Sequence, residues 1–164
     1  MNEAPQPERA LLQTRADYQL GFGRVLGLAR RELRIFDPDL SELEMNSAAR
    51  VEVLARFLRG GANRRVFVAL HGVDHVSRRC PRLIALLGVY ASNIFIHQTM
   101  GDAAKVQDCF ALADADHLIR RPVTAQPRGV LVIGDPKECQ PMRERFDEIW
   151  ESSTPAVSAN TTGL

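Results

Sequence analysis

Apolar residues in this chain follow two spacings, one typical of helices and one typical of strands. In the helical segments they recur every three or four positions, which predicts amphipathic helices. Each of these segments has a candidate helix-start signal, and in two of them a second residue adds to it: Thr14 with Asp17 three residues later, and Asp135 followed directly by Pro136. The predicted helices cover residues 14–31, 46–59 (capped by Asn46 or Ser47), 77–90 (capped by Ser77) and 135–150.

Short apolar runs of strand length separate the predicted helices. Residues 65–70 are almost continuously apolar, which is typical of a strand that is buried on both faces of a sheet. The predicted strands cover residues 33–38, 65–70, 92–97, 107–114, 117–120 and 130–133. Strands that alternate with helices predict an α/β fold, and we expect a mixed, mostly parallel sheet flanked by helices.

Both ends of the chain have a different composition. Residues 1–13 begin with a polar, proline-containing stretch, and residues 153–164 are rich in Ser, Thr, Pro, Ala and Gly. Such compositions favour disorder, so we predict a disordered lead (1–13), one folded domain (14–152) and a disordered tail (153–164). A chain of 164 residues is long enough for one domain with a proper core.

The charge balance narrows the classes of partner. Apolar residues make up 45% of the chain, charged residues 25%, and the formal net charge is +1. No global field therefore attracts nucleic acid or an anionic membrane, and we expect neither as a partner. Three basic clusters are interpreted as solvated faces rather than binding sites: Arg64–Arg65, Arg78–Arg79 with Arg82, and Arg120–Arg121.

The cysteine pattern and the absence of long apolar runs indicate a compartment. Cys80, Cys109 and Cys139 are odd in number, far apart and without a Cys-x-x-Cys pair. This argues against a disulfide framework and a zinc site and favours a reducing cytoplasm. No apolar run reaches the roughly 20 residues of a membrane helix, and the start of the chain has no signal-peptide core. We expect no cofactor and no metal.

The segment 107–114 carries the most informative motif. Its residues Gln107, Cys109 and Asp114 have the spacing of the phospholipase D-like superfamily motif, which reads His, any residue, Lys, four residues, Asp. The chain resembles one half of such a protein. The resemblance implies a His nucleophile and a phosphate-neutralising Lys, but an amide and a neutral thiol perform neither task. It therefore implies a degenerate site in which Gln107, Cys109 and Asp114 remain.

Other stretches resemble a bacterial domain of uncharacterised function that is phospholipase D-like but lacks the catalytic motif. That domain occurs alone or behind a GNAT-type acetyltransferase domain. The similar stretches are Phe-Asp-Pro-Asp-Leu at 36–40, Pro-Arg-Leu-Ile-Ala-Leu-Leu at 81–87 and Phe-Ala-Leu-Ala-Asp at 110–114, together with the closing helix. This resemblance implies a bacterial pseudoenzyme.

A second group of polar residues stands near the predicted strand ends. In open α/β sheets, ligands gather beyond the carboxyl ends of the strands. The candidate pocket residues are Asp37, His71, Asp74, His75 and His97. Two histidines and an acid are suitable zinc ligands, but an i, i+4 spacing suits a helix and the intervening glycine favours a solvated loop.

Two functions follow as hypotheses. The first is a non-catalytic interaction or ligand-binding module that forms a homodimer, with an unknown protein partner or a phosphate-containing ligand. The alternative is a phosphodiester hydrolase with relocated catalytic residues near His71, His75, His97 and Asp114. Nucleic-acid binding without catalysis is a third possibility, and a steep salt dependence of affinity distinguishes it. The loss of His and Lys from the motif favours the first.

Overall fold

A single sheet organises the protein. The structure, a computed structural model, describes residues 4–159, so the predictions for residues 1–3 and 160–164 lie outside the described residues. Residues 4–159 form one eight-stranded sheet with the order β1-β7-β6-β5-β2-β3-β4-β8. The strands are β1 (Glu8–Leu12), β2 (Glu32–Asp37), β3 (Arg65–Leu70), β4 (Ile94–Thr99), β5 (Cys109–Ala113), β6 (His117–Arg121), β7 (Gly129–Ile133) and β8 (Ser153–Val157).

Helices cover both faces of the sheet, and each face has its own core. Along β5 the side chains alternate: Cys109, Ala111 and Ala113 join the first core, whereas Phe110 and Leu112 join the second. Four helices pack in the first core and one in the second. These helices are α1 (Arg15–Leu28), α2 (Ala48–Arg59), α3 (Asp74–Arg79), α4 (Pro81–Val89) and, on the second face, α5 (Pro136–Glu151). A short 3-10 helix (Gly101–Lys105) precedes β5.

The helix-start signals in the sequence act as caps in the structure. The Thr14 side chain accepts a hydrogen bond from the Asp17 N–H, and Asp17 accepts in return from the Thr14 N–H. Ser47 accepts a hydrogen bond from the Arg50 N–H at the start of α2, and Asp135 accepts one from the Glu138 N–H at the start of α5, with Pro136 at the first helical position. These local signals therefore fix the beginning of three helices correctly.

The expectation of a mostly parallel sheet is wrong. Within the described residues, the β2–β3 and β3–β4 pairs are parallel, and the other five pairs are antiparallel. Parallel pairing needs a long crossover, which α2 provides between β2 and β3 and α3 with α4 between β3 and β4. No α-helix stands between β5, β6 and β7, so these strands fold back on one another as an antiparallel meander.

Parts of the predicted lead and tail are strands at the two edges of the sheet. β1 pairs antiparallel with β7, and β8 pairs antiparallel with β4. Leu12 and Val157 are each only 8% exposed. Residues 8–12 and 153–157 lie in the lead and tail that were predicted to be disordered from the composition of the two chain ends. That prediction failed because edge strands are stabilised mainly by backbone hydrogen bonds, which composition does not reveal.

The predicted helix 77–90 is interrupted in the structure. It is divided into α3 and α4, and Cys80 between them has φ −120° and ψ 56°. Pro81 follows directly, and a proline disfavours the helical conformation of the residue before it. Pro81 therefore begins a new helix instead of continuing the first, and Ser77 lies inside α3 rather than at its start.

Candidate functional site

A cleft lies where the degenerate motif begins. Because β5 runs antiparallel to β2, the start of β5 lies beside the carboxyl end of β2. This cleft, here called the motif cleft, has a volume of about 300 Å³. The side chains that determine its chemistry are those of Arg15, Asp37, Asp39, Glu42, Cys109 and Arg121. Two predicted site residues, Asp37 and Cys109, are thus brought together.

Cys109 stands where the resemblance places the lysine. Its side chain is buried, and its Sγ lies 3.6 Å from the Tyr18 hydroxyl oxygen. Burial, together with the nearby Asp37 carboxylate, raises the pKa of the Cys109 thiol to about 11. The thiol is therefore neutral at physiological pH, and a neutral thiol is neither a phosphate ligand nor an effective nucleophile.

Gln107 does not contribute its side chain to the cleft. The residue is exposed and lies before β5 begins, outside the residues that line the motif cleft. Its backbone carbonyl accepts a hydrogen bond of 2.8 Å from the Thr124 N–H. The backbone of Gln107 thus positions the loop after β6, and its amide side chain is not among the groups that line the motif cleft.

Asp37 is a buried carboxyl group at the end of β2. It is 6% exposed and accepts hydrogen bonds from the backbone N–H groups of Leu40 (2.7 Å) and Asp39 (3.2 Å). Burial raises the pKa of Asp37 to about 6, because the charged form loses its hydration, although the two backbone donors oppose this shift. Asp37 therefore changes charge in the range just below neutral pH.

The cations of the motif cleft already have partners. Arg121 is 3% exposed and binds Glu42 at 2.8 Å, the carbonyl of Gln126 at 3.1 Å and the carbonyl of Thr124. Its guanidinium also lies 5.3 Å from the centre of the Tyr18 ring. The second oxygen of Glu42 binds Arg15. With three acidic residues against two arginines, the lining carries an excess of negative charge once Asp37 ionises.

Asp114, the third motif residue, lies at the other end of the sheet. Ala113 pairs with Leu33 near the start of β2, whereas Phe110 pairs with Phe36 near its end. The six residues of β2 span about 16 Å at 3.3 Å per step, so Asp114 cannot act together with the motif cleft. Asp114 has a positive φ of 55°.

The Asp114 carboxylate holds the backbone between α1 and β2. It accepts hydrogen bonds from the N–H groups of Arg30 (3.0 Å), Arg31 (2.7 Å) and Glu32 (3.0 Å). The Asp114 N–H in turn donates to the Glu32 carbonyl at 2.9 Å. The carboxylate thus serves backbone donors rather than a reacting group.

Hydrogen bonds hold His71 and His97 in place. The carbonyl of Val106 only accepts, so Nε2–H of His71 donates to it at 2.9 Å, and Nδ1 lies 2.7 Å from the Thr99 hydroxyl. His97 stacks on Trp150 with ring centres 3.7 Å apart, and its Nδ1 lies 2.9 Å from Ser153 Oγ. Burial lowers the pKa of His97. Neither histidine lines the motif cleft.

Asp74 and His75 lie on the first turn of α3, away from the motif cleft. Asp74 is exposed and His75 is half-buried, and within residues 4–159 neither side chain forms a hydrogen bond or an ion pair. The predicted pocket therefore does not assemble as one site, since only Asp37 of its five members faces the motif cleft. Across the described part of the chain, no group of three or more His, Cys, Asp or Glu side chains is arranged to hold a metal.

Sequence reasoning did not find a second polar cleft. It lies at the Asp114 end of the sheet and is lined by four arginines, Arg30, Arg31, Arg34 and Arg143. The signal was the run Arg-Arg-Glu-Leu-Arg at 30–34, whose last three residues belong to β2. Tyr18, which contacts Cys109, lies inside the predicted helix 14–31 and was not among the candidate site residues. In the described residues, no helix is long and apolar enough to cross a bilayer.

Comparisons with known proteins agree on the fold. The model of a family described as a domain of unknown function (DUF7931) matches residues 15–160. Nuc from Salmonella typhimurium, described as a phospholipase D family member, superposes with a TM-score of 0.63 at 11% identity, over 93% of this chain and 100% of that one. NucT from Helicobacter pylori gives 0.62 at 12% identity, over 92% and 100%.

A third similar structure comes from a different kind of protein. TrmBL2, an archaeal chromatin protein described with a novel mode of DNA binding, gives a TM-score of 0.62 at 13% identity. The match covers 94% of this chain but only 56% of that one. No curated protein sequence matches the chain. At such low identities these likenesses establish a phospholipase D-like fold and nothing further.

Proposed function

We propose that this chain, which belongs to a family described as a domain of unknown function (DUF7931), is a non-catalytic phospholipase D-like module that binds a ligand or a partner. The motif at Gln107, Cys109 and Asp114 is, in this proposal, a degenerate form of the superfamily motif. The observation that carries the proposal is the buried Cys109 thiol in the motif cleft, whose pKa of about 11 keeps it neutral.

Phosphodiester cleavage by the superfamily route needs an imidazole and a cation beside the phosphate. Among the described residues, no histidine lines the motif cleft, and both arginines there are bound to Glu42. A phosphodiester anion entering the cleft meets Asp37, Asp39 and Glu42 instead. The electrostatics of the cleft therefore oppose the binding of a phosphodiester and favour a neutral or cationic group, more strongly above pH 6 where Asp37 ionises.

The alternative, a hydrolase with relocated residues, requires His71, His75, His97 and Asp114 to converge. His71 contacts Thr99 and Val106, and His97 contacts Trp150 and Ser153. Asp114 lies near the start of β2, and the length of β2, about 16 Å, separates that end from the motif cleft. No observation favours this second function over the first. For assembly we propose a homodimer, because isologous pairing is the commonest symmetric solution. We further propose that the protein is bacterial and cytoplasmic, and that its family also occurs behind a GNAT-type acetyltransferase domain.

A turnover assay tests the proposal. We expect the full chain, at tens of micromolar, to release no nitrophenolate from bis-p-nitrophenyl phosphate above buffer, with or without Mg²⁺, Mn²⁺ or Zn²⁺. His71→Ala serves as the matched variant, because it removes the imidazole on which the alternative depends and leaves the motif cleft intact. Wild-type turnover that this variant abolishes would contradict the proposal and place an active site at the end of β3.

A further inference from the structure

The four arginines at the Asp114 end of the sheet form a cleft of about 480 Å³, here called the arginine cleft. Binding sites for small molecules commonly have volumes of about 300–1,000 Å³. The arginine cleft lies at the opposite end of β2 from the motif cleft, and the two share no lining residue. It therefore does not belong to the site discussed above.

Three separate elements bring the arginines together. Arg34 belongs to β2 and Arg143 to α5, whereas Arg30 and Arg31 lie between α1 and β2. The carboxylate of Asp114 binds the backbone N–H groups of Arg30 and Arg31 and so fixes the course of that connection. Long-range contacts, rather than one run of basic sequence, thus build the cluster.

Most of the positive charge in the cleft has no internal partner. Arg34 is bound to Glu32 at 2.7 Å. In residues 4–159, the side chains of Arg30, Arg31 and Arg143 form no ion pair, and Nε of Arg143 is buried without a hydrogen-bond acceptor. The charge and hydrogen-bond donors of these three guanidinium groups are therefore not taken up by an acidic side chain of the described residues, and an anion in the cleft can use them.

The acidic residues of the lining cancel only part of this charge, because four arginines stand against Glu32, Asp114 and Asp116. Asp114 is bound to three backbone N–H groups, and Glu32 is bound to Arg34. Asp116 lies 3.5 Å from the imidazole of His117. Three guanidinium groups therefore have no carboxylate bound to them, and the lining keeps an excess of positive charge for an incoming anion. Guanidinium is planar, stays charged and forms paired hydrogen bonds with phosphate oxygens.

We propose that the arginine cleft binds the phosphate or pyrophosphate group of a small molecule, with Arg31 and Arg143 as its main contacts. The contrast with the motif cleft supports this assignment, because there acids outnumber arginines and both arginines are paired. The formal net charge of +1 favours a small molecule over a nucleic-acid strand, and the cleft volume lies in the range of small-molecule sites.

Isothermal titration calorimetry with inorganic pyrophosphate tests the proposal on the full chain. We expect saturable binding to the wild type that Arg31→Ala and Arg143→Gln each weaken by about tenfold to a hundredfold, the loss expected for one charge-assisted hydrogen bond. Arg56→Ala is the matched control, because it removes the same charge from an exposed position on α2 and is expected to leave the affinity unchanged. Arg31 is exposed, so its replacement leaves the core unaltered.

Parallel titrations with a nucleoside monophosphate and a single-stranded oligonucleotide identify the source of the phosphate. Binding of pyrophosphate or the mononucleotide with the expected variant pattern supports the proposal. Three outcomes overturn it: no saturable binding to the wild type, equal weakening by Arg56→Ala, or binding of the oligonucleotide alone. Failure here leaves the proposed absence of turnover untouched, because the hydrolysis assay depends on the other end of the sheet.

Discussion

Replacing Asp114 tests whether this residue is structural, as its contacts indicate. Asp114→Ala removes a carboxylate that accepts three backbone hydrogen bonds of 2.7–3.0 Å. A hydrogen bond to a charged group contributes about 1.5–3 kcal/mol, and partial exposure at Arg30 and Arg31 brings these bonds to roughly 1 kcal/mol each. The left-handed backbone at φ 55° adds up to about 1 kcal/mol for alanine. We expect a total loss of about 4 kcal/mol in the free energy of unfolding.

Two further variants separate these contributions. Asp114→Asn keeps one side-chain acceptor and a residue that tolerates positive φ, so we expect a loss of about 1–2 kcal/mol. Asp114→Gly relieves the backbone but loses the acceptor, so we expect about 3 kcal/mol. The predicted order of destabilisation is Asn, then Gly, then Ala. Asp147→Ala on the exposed face of α5 is the control and should cost less than about 0.5 kcal/mol.

Urea denaturation followed by the fluorescence of Trp150, the single tryptophan, measures these differences. Trp150 reports on the sheet because it stacks on His97 of β4. A loss below about 1 kcal/mol for Asp114→Ala, or a Gly variant less stable than the Ala variant, would refute the reasoning. Wild-type phosphodiester turnover that Asp114→Ala abolishes without a change in stability would instead indicate a catalytic role for Asp114.

Three other predictions concern the motif cleft and the sheet edges. Asp37 has a pKa of about 6 in the folded chain against an ordinary 3.8, so its stabilising contribution is present below pH 4 and is lost as pH rises through 6. Asp37→Asn should therefore flatten this fall, on the order of 3 kcal/mol, in denaturation curves from pH 4 to 7, whereas an unchanged slope contradicts the pKa. All three cysteines are buried, so Ellman's reagent should label none of them rapidly at pH 7.5 and all three in urea, and one fast native thiol would contradict this assignment. A chain cut to residues 14–152 loses β1 and β8, so it should unfold at lower urea and scatter more light than the full chain; equal behaviour would restore the predicted boundaries.

Local sequence signals predicted the elements well because short-range physics determines them. Thr14, Ser47 and Asp135 accept hydrogen bonds from backbone N–H groups two or three positions inside their helices, so three residues of sequence contain the whole signal. The apolar run 65–70 became β3 with the predicted bounds. The phospholipase D-like fold that the motif spacing suggested is likewise present.

Strand direction and the assembly of the site were not predictable in the same way. The pairing of β5 with β2 joins residues about 75 positions apart, and this pairing places Cys109 beside Asp37 and Asp114 beside Arg31. An alternating apolar pattern is the same for a parallel and an antiparallel strand, so the pattern does not encode direction. The motif spacing alone suggested one site, whereas its residues lie at two ends of a strand.

The arginine cleft and the edge strands were missed for related reasons. Arg143 joins Arg31 only through the packing of α5, a contact that sequence separation conceals. The polar, proline-containing stretch that precedes residues 8–12 obscures their backbone pairing with β7, which joins positions more than 100 residues apart. In both cases tertiary contacts, which local propensity does not contain, determine the structure: the packing of α5 forms the arginine cleft, and the pairing with β7 forms the edge strand.

The central claim is that this phospholipase D-like domain does not cleave phosphodiesters. A ³¹P NMR time course tests it most directly, with the full chain in molar excess over an unactivated dinucleoside phosphodiester and with divalent metal present. The account predicts that the diester resonance keeps its intensity over days and that no phosphomonoester resonance appears. Growth of a monoester resonance in proportion to protein concentration would contradict it.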